Sequence, residues 1–389
     1  MTREQLFFIR TLSDHLNGRS TYAEHDLDWY IIHNYAQKHQ VSGIIYSQAK
    51  HFMPSEILAD FRQEAIATYF YYENRKEDYH VIKKALSGAN IPFFAIKGIE
   101  IADLYPEPSL RAMGDIDLVV HSDDRGTCHM ILLKEGFNCK SKQEDREWQY
   151  YRNNLETELH DRLVYRESIN EKGHMPYFNN CWKYVTDGKL EWNFHLLFLI
   201  FHLRKHLMNA GAGFRQFMDL AVALRKTETN WKWIEKQLKT TGLYDFARKC
   251  YGFIFRWFGI PSPIMDQIED EFFDEATQKV FVDGVFGFDN DENLDCQVIN
   301  EIRRNRCMSL GMIKVAIRYV FLPLKEMKSI KKYEYLNNAP VLLPAAWIHR
   351  IITSAGKTKK KSALTNLRKS FVSKEKIEKR KNLMSKWGV

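Results

Sequence analysis

The stretch FFAIKGIEIADLYPEPSLRAMGDIDLVV, residues 93–120, holds two apolar runs on either side of a turn-rich segment. The first run, within IPFFAIKG at residues 91–98, reads as a short buried strand that a glycine closes. A brief helix is predicted over residues 99–104, before the turn-forming YPEPS sequence. The second run, DIDLVVH at residues 115–121, is rich in β-branched residues and predicts another strand.

Two carboxylates stand at the start of the second predicted strand. Side chains alternate between the faces of a strand, so Asp115 and Asp117 project from the same face. Carboxylates this close repel each other, and a divalent cation compensates for the repulsion. Hard oxygen ligands suit Mg²⁺. Enzymes of phosphoryl transfer use a pair of metal ions bound by carboxylates in this way. The alternative interpretation is a solvated turn that leads into the strand.

A glycine turn precedes these carboxylates. Gly98 carries no Cβ, so backbone N–H groups at this position can approach a phosphate at the start of the following helix. Lys97 and Arg111 flank the turn, and either can neutralise phosphate charge. We therefore expect a phosphate-binding segment beside the metal site.

The ordered combination resembles the polymerase-beta nucleotidyltransferase superfamily. In particular, it resembles a bacterial branch of uncharacterised nucleotidyltransferases whose pattern is Lys-Gly, then Arg, then Gly-Asp-Ile-Asp and apolar residues. The matching positions are Lys97, Gly98, Arg111, Gly114, Asp115 and Asp117. The resemblance spans residues 85–225 and extends more faintly to VLLPAAWIHR at residues 341–350. The superfamily's usual Gly-Ser or Gly-Gly turn is Lys-Gly here, and the gap between this turn and the carboxylates is longer than in compact members.

The resemblance also implies further site residues. In that superfamily a third metal ligand comes from a neighbouring strand, and Glu158 in Glu158-Leu159-His160 is similar to the branch's acidic-apolar-His motif. Glu156, on the same strand face, and Glu191 are alternatives for that role. The segments HLLFLIFHLRKH and FRQFMDL resemble the branch's helical His-x-x-x-His and Asp segments. The candidate substrate contacts are His160, His202, His206 and Asp219.

The spacing of His202 and His206 leaves a second interpretation open. Residues four apart on a helix have the geometry of a metal-binding pair. The HLRKH sequence lacks the Glu of a zinc protease helix, and no third ligand is evident. A packed or hydrogen-bonded role is therefore favoured over zinc binding.

The fold class predicted for the whole chain is α+β, with a small mixed palm-like sheet flanked by N-terminal and C-terminal helical regions. Further strands are predicted at residues 148–152 and 155–164, and further helices at residues 125–135, 195–208 and 214–225, with another beginning at WKWIEKQL. The predicted regions are an N-terminal helical region at 1–89, a nucleotidyltransferase core at 90–190, a C-terminal helical region at 191–354 and a basic tail at 355–389.

Composition restricts the class of protein. With 45% hydrophobic and 14% aromatic residues, the chain is typical of folded globular proteins. The N-terminus lacks the apolar stretch of a secretory signal, and the longest uncharged apolar run, residues 192–203, is too short to span a bilayer. Widely spaced cysteines indicate reduced thiols and a cytoplasmic location. They are Cys128, Cys139, Cys181, Cys250, Cys296 and Cys307.

The net charge of +8 belongs to the tail. Twelve of the 57 Lys and Arg residues, but only two of the 49 Asp and Glu residues, lie between Lys357 and Lys386. Three interpretations are open. Leu364, Leu367 and Phe371 would share one helix face, so the tail could bind an anionic membrane surface and place the protein at the inner face of the membrane. A plain solvated extension is the second interpretation. Nucleic-acid binding is disfavoured, because no aromatic pattern for stacking bases is present.

The resemblance implies the reaction. The expected activity is Mg²⁺-dependent transfer of a nucleoside monophosphate from an NTP to an acceptor, with two Mg²⁺ ions, or Mn²⁺ in their place. The acceptor is unknown, and a small molecule or glycan precursor is favoured. Two alternatives are an inactive NTP-binding module and a membrane-surface assembly factor for polysaccharide synthesis. The fold alone does not choose among acceptors.

Overall fold

The protein is described here by a computed structural model that covers residues 1–24, 26–143, 146–165, 173–209, 211–225, 229–285, 287, 321–328, 331–355 and 374–389. The chain forms two compact units. The first comprises Met1–Leu207, Gly211–Phe286 and Trp387–Val389, and the second comprises Met208–Ala210 and Gly287–Lys386. All of the candidate site residues lie in the first unit. The predicted division into four regions stays a prediction.

Four described α-helices precede the sheet, and they lie within residues 1–89, which were predicted to be helical. The first begins at a capping box, in which Thr2 accepts the backbone N–H of Gln5 and the Gln5 side chain accepts that of Thr2. Asp28 caps the second helix by accepting two backbone N–H groups. The helices are α1 (Arg3–Leu16), α2 (Trp29–His39), α3 (Ser42–Ala49) and α4 (Ser55–Gly88).

A five-stranded mixed sheet follows, with strand order β1-β2-β5-β4-β3. Its strands are β1 (Phe93–Ile96), β2 (Ile116–Val120), β3 (Asn138–Ser141), β4 (Trp148–Arg152) and β5 (Leu155–His160). The pair β2 and β5 is parallel, and the other three pairs are antiparallel. This sheet, with helices around it, confirms the predicted α+β class.

Some predicted boundaries differ from the observed ones. The strand predicted at residues 155–164 ends at His160. The chain turns there because the Asp161 carboxylate binds Arg162 and the Asp161 N–H donates to the Tyr165 hydroxyl. The first strand is also shorter than the predicted residues 91–98, since Lys97 adopts a backbone conformation with positive φ that ends it.

The core of the sheet determines which face is available for a site. Ile116, Leu118 and Val120 of β2 are buried in a cluster with residues of α4 and of the helix Arg125–Lys134, including Leu86 and Leu132. Since side chains alternate along a strand, Asp117 and Val119 project from the opposite face. The apolar face of β2 thus fixes the direction of the carboxylate.

The remaining described α-helices and a two-stranded sheet complete the chain. They are α5 (Gly98–Ala102), α6 (Arg125–Lys134), α7 (Met175–Phe178), β6 (Val185–Thr186), β7 (Lys189–Leu190), α8 (Trp192–Asn209), α9 (Phe214–Leu224), α10 (Trp231–Thr241), α11 (Tyr244–Phe258), α12 (Asp270–Asp283), α13 (Leu324–Lys328), α14 (Leu343–Ala355) and α15 (Lys374–Lys386). Single-turn or short 3₁₀ helices lie at Pro108–Leu110, Ser122–Asp124, Cys181–Tyr184, Lys331–Asn337 and Pro340–Leu342.

None of the helices in the described ranges combines the length and apolar character needed to cross a membrane.

The C-terminal residues divide into three parts. Leu364, Leu367 and Phe371, on which the membrane interpretation depends, lie outside the described residues. Residues 374–386 form α15. Trp387 is 2% exposed, and its ring stacks on Phe253 of α11 with 4.4 Å between centroids. The last residues of the predicted tail therefore belong to the core of the first unit.

The cysteines in the described ranges are free thiols, as expected. They are Cys128, Cys139, Cys181 and Cys250. Cys296 and Cys307 lie outside the described residues.

Replacement of Leu118 by Ala tests the buried face of β2. Leu118 is fully buried, so its truncation is expected to lower the free energy of unfolding by about 2–5 kcal/mol. Urea denaturation followed by circular dichroism measures this loss. Leu133→Ala is the matched control, because Leu133 is 41% exposed on α6 and its truncation should change the free energy by less than about 0.5 kcal/mol. Equal losses in the two variants would refute the assignment of this face.

Candidate functional site

Three carboxylates meet at one edge of the β2 and β5 pair. Asp117 of β2 and Glu158 of β5 are register partners on parallel strands, so their side chains lie side by side. Asp115 precedes β2 by one residue and lies near enough that the charge of Asp117, together with burial and the charge of Glu158, raises the pKa of Asp115. Asp117 and Glu158 are therefore brought together, and Asp115 lies within range of their charges.

Two cations balance this concentration of negative charge. Lys97 Nζ lies 2.6 Å from Asp117 Oδ1. His160 Nε2 lies 3.1 Å from the same oxygen and 3.3 Å from Glu158 Oε2. Burial alone would raise the pKa of Asp117, but Lys97 and His160 outweigh it and lower that pKa to about 2. Asp117 is consequently ionised at neutral pH.

His160 carries its proton in this arrangement. Burial lowers the pKa of its imidazole, whereas the hydrogen bonds to Asp117 and Glu158 raise it, and the net pKa is about 9. The acidic-apolar-His sequence places Glu158 and His160 on the same face of β5, since they are two residues apart. His160, which was predicted to contact substrate, thus lies directly beside the candidate metal ligands Asp117 and Glu158.

The donor set of this cluster fits a divalent cation. One ligand atom from each of Asp117, Glu158 and His160 lies within 4.8 Å of the other two. Carboxylate oxygens are ligands for hard divalent ions, and imidazole nitrogen adds a ligand that transition-metal ions accept. These are the residues that could hold a metal ion.

Lys97 reaches Asp117 from an unusual backbone conformation. Its φ of 57° and ψ of −125° lie in a region that favours glycine, and such a conformation costs on the order of 1–3 kcal/mol for other residues. The Lys97 N–H donates to His195 Nε2 of α8 at 3.0 Å. Lys97 is therefore held both by its backbone and by its side chain.

Arg111 and Gly98 form a second buried contact. The Arg111 guanidinium donates to Asp219 in a bidentate arrangement, with distances of 2.7 Å from Nε to Oδ1 and 2.8 Å from Nη2 to Oδ2. The Tyr105 hydroxyl also donates to Asp219 Oδ1, at 2.8 Å. A Cβ on Gly98 would lie 3.3 Å from Arg111 Nη1. The absent side chain of Gly98 thus leaves room for the Arg111 guanidinium, and the predicted role of Gly98 in phosphate binding stays a prediction.

Gly114 differs from Gly98. It is exposed, and a Cβ at this position would meet no atom within 4 Å in the described residues. Its predicted role in nucleotide binding stays a prediction.

His202 and His206 pair with each other on α8. Their Nε2 atoms lie 3.2 Å apart. Burial lowers both pKa values, that of His206 to about 4, and the positive charge of Lys97 lowers them further. Both imidazoles are therefore neutral at pH 7 and available as hydrogen-bonding groups.

The sequence predicts that His195 lies in a helix but does not mark it as a site residue. His195 lies seven residues before His202 and eleven before His206, so the three histidines share one face of α8. This spacing is the signal that could have identified it. Its position on the site face is confirmed by its hydrogen bond to Lys97.

Two arginines near Asp115 were also missed. Arg75 of α4 is 5% exposed and donates to the Glu156 carbonyl at 2.5 Å, and Arg215 of α9 donates to the Ala112 carbonyl at 3.0 Å. Burial lowers the pKa of each, while the charge of Asp115 acts in the opposite direction. Their Nε atoms have no hydrogen-bond partner within the described ranges. No local pattern marks either residue, because both approach the site from other helices.

The pH dependence of stability tests the role of His195. Burial lowers its pKa to about 4, so the unfolded chain takes up a proton near pH 6.5 before the folded chain does. Stability is therefore expected to fall as pH decreases from 6.5 to 4, by up to about 1.4 kcal/mol per pH unit. His195→Gln keeps an acceptor for the Lys97 N–H and should remove this contribution. Urea unfolding of both proteins across this pH range measures the difference, and identical pH profiles would contradict the account.

The match to a known family covers this whole arrangement. Residues 25–259 match the family described as uncharacterised nucleotidyltransferase. The match includes more than half of the 389 residues and all of the site residues described above. No curated protein and no solved structure matches the chain. The chain belongs to the uncharacterised nucleotidyltransferase family.

Proposed function

We propose that the protein transfers a nucleoside monophosphate from an NTP to an acceptor hydroxyl or phosphate and releases pyrophosphate, as polymerase-beta-like enzymes do. The observation that supports this proposal best is the parallel register that sets Asp117 beside Glu158, with Asp115 close by. Together with the family, this arrangement favours two-metal phosphoryl transfer over other reactions.

The carboxylates have separate proposed roles. Asp115 and Asp117 would hold both divalent ions, with Mg²⁺ as the expected ion. Glu158 would complete the coordination nearest the attacking group. Ions bound there lower the cost of deprotonating a hydroxyl and neutralise charge on the triphosphate. The raised pKa of Asp115 expresses the electrostatic repulsion that a bound cation would relieve.

Positive side chains are proposed to bind the triphosphate. Lys97 already lies beside the carboxylates, and its side chain is 21% exposed, so its ammonium group can exchange Asp117 for a phosphate oxygen. Arg215 and Arg75 add positive charge near Asp115. Arg111, Gly98 and Gly114 keep their predicted roles in nucleotide binding, with Arg111 held in place by Asp219.

The neutral histidines are proposed to contact the acceptor. His202 and His206 carry no charge at pH 7. They can therefore form hydrogen bonds to hydroxyl groups without repelling cations at the carboxylates. The resemblance favours a small molecule or a glycan precursor as the acceptor.

A second candidate function is nucleotide binding without transfer. The observation that favours it is that Lys97 and His160 both pair with Asp117. The negative charge of Asp117 is then balanced without a metal ion. The two candidates differ in whether label moves from the NTP to another molecule.

Substitution of Asp117 separates these candidates. The protein is incubated with each labelled NTP, Mg²⁺ and a cell extract, and label transfer is measured. Asp117→Asn removes a carboxylate from the metal site and is expected to lower transfer by at least about 100-fold. Asp123→Asn is the matched control, because Asp123 is exposed in the 3₁₀ helix Ser122–Asp124 and no hydrogen bond or ion pair links it to the site carboxylates in the described residues.

Three outcomes are informative. Loss of transfer in Asp117→Asn, with normal transfer in Asp123→Asn, supports the enzyme. Undiminished transfer in Asp117→Asn would place the reaction at another site. Binding of Mg²⁺-NTP to the unaltered protein with no transfer to any acceptor would favour the binding module.

A further inference from the structure

The position of His160 distinguishes this cluster from a site made of carboxylates alone. Asp117 and Glu158 are register partners, and His160 follows Glu158 by two residues on the same face of β5. The backbone therefore delivers two carboxylates and one imidazole to the same point. All three side chains are at most 16% exposed, so the cluster lies in the interior of the protein.

The distances within the cluster match the edges of a coordination octahedron. Ligands bound at about 2.1–2.2 Å from an ion, at right angles to each other, are about 3 Å apart. His160 Nε2 lies 3.1 Å from Asp117 Oδ1 and 3.3 Å from Glu158 Oε2. The imidazole thus lies where an adjacent ligand of the same ion belongs.

A hydrogen bond from protonated His160 to both carboxylates gives similar distances, so distance alone does not identify a ligand. The position of Lys97 adds a second observation. Its ammonium group lies 2.6 Å from Asp117 Oδ1, the oxygen that also faces His160. A cation is therefore already accommodated beside this oxygen, and Lys97 provides it through a flexible side chain that can withdraw.

We infer that a divalent transition-metal ion displaces the proton of His160, which is released to solvent, and that Asp117, Glu158 and His160 then bind the ion directly as a mixed oxygen and nitrogen site. This inference rests on the proposed function, since it concerns the ion nearest Glu158. Imidazole ligands favour transition-metal ions, whereas sites made only of oxygen suit Mg²⁺. The two ion-binding positions are then not equivalent. The position beside His160 prefers Mn²⁺ or a similar ion over Mg²⁺.

Pulsed electron paramagnetic resonance tests the inference directly. The full-length protein is loaded with less than one equivalent of Mn²⁺, and electron spin echo envelope modulation detects a directly bound nitrogen. Unaltered protein is expected to show ¹⁴N modulation typical of imidazole. His160→Gln should lose this modulation, because Gln offers an oxygen in place of the ring nitrogen. His202→Gln is the matched control, since it removes another site histidine and should keep the signal.

Competition between ions supplies a second measurement. Mg²⁺ displaces Mn²⁺ from the protein, and the free Mn²⁺ signal reports the ratio of the two affinities. His160→Gln is expected to reduce the preference for Mn²⁺ over Mg²⁺ by about 10- to 100-fold. An unchanged ratio would contradict a ligand role for His160.

The failures of the inference and of the proposed function can be told apart. Bound Mn²⁺ without ¹⁴N modulation in the unaltered protein, or modulation that persists in His160→Gln, overturns the ligand role of His160 alone, and nucleotidyl transfer can still occur. Absence of any Mn²⁺ binding overturns both this inference and the metal site of the proposed function. Absence of ¹⁴N modulation in the unaltered protein contradicts the inference whatever the stability of the variants.

Discussion

Two carboxylates held side by side in a buried place are the constraint on which the rest of the site depends. Parallel register sets Asp117 beside Glu158, and Asp117 is 1% exposed. At a separation of 4 Å and an effective dielectric constant of 20, two like charges repel by about 4 kcal/mol. The fold offsets this repulsion with Lys97 and His160. The divalent ions of the proposed function would offset the same repulsion.

The surrounding helices hold these compensating groups. Lys97 keeps its strained backbone because its N–H donates to His195 of α8 while its ammonium group binds Asp117. Arg111 is fixed to Asp219 of α9 by a bidentate ion pair, in which the Arg111 side chain is 5% exposed. Loss of either partner would leave a buried charge unpaired, which is costly in protein interiors. The Lys97 turn is therefore connected to α8 through a polar contact, and Arg111 is connected to α9 through a charged one.

Local sequence pattern predicted the α+β class and the strands β1, β2, β4 and β5, but it did not predict β3, β6 or β7. Alternation along DIDLVV gave the face of Asp115 and Asp117, and the acidic-apolar-His motif favoured Glu158 over Glu156 and Glu191. The long-range contacts could not be predicted in this way. The pairing of Arg111 with Asp219 joins residues 108 positions apart, and that of Lys97 with His195 joins residues 98 apart. Strand register and helix packing determine such contacts, and neither is encoded in a short window of sequence.

The central claim is that the three carboxylates bind divalent cations and that Lys97 then turns from Asp117 toward the nucleotide. A crystal structure of the protein with Mn²⁺ and a non-hydrolysable NTP analogue, measured at the manganese absorption edge, tests it most directly. The account predicts an anomalous peak about 2.2 Å from carboxylate oxygens of Asp117 and Glu158, with the Lys97 ammonium group bonded to a phosphate. An analogue bound elsewhere, no peak at these carboxylates and an intact contact between Lys97 and Asp117 would contradict it.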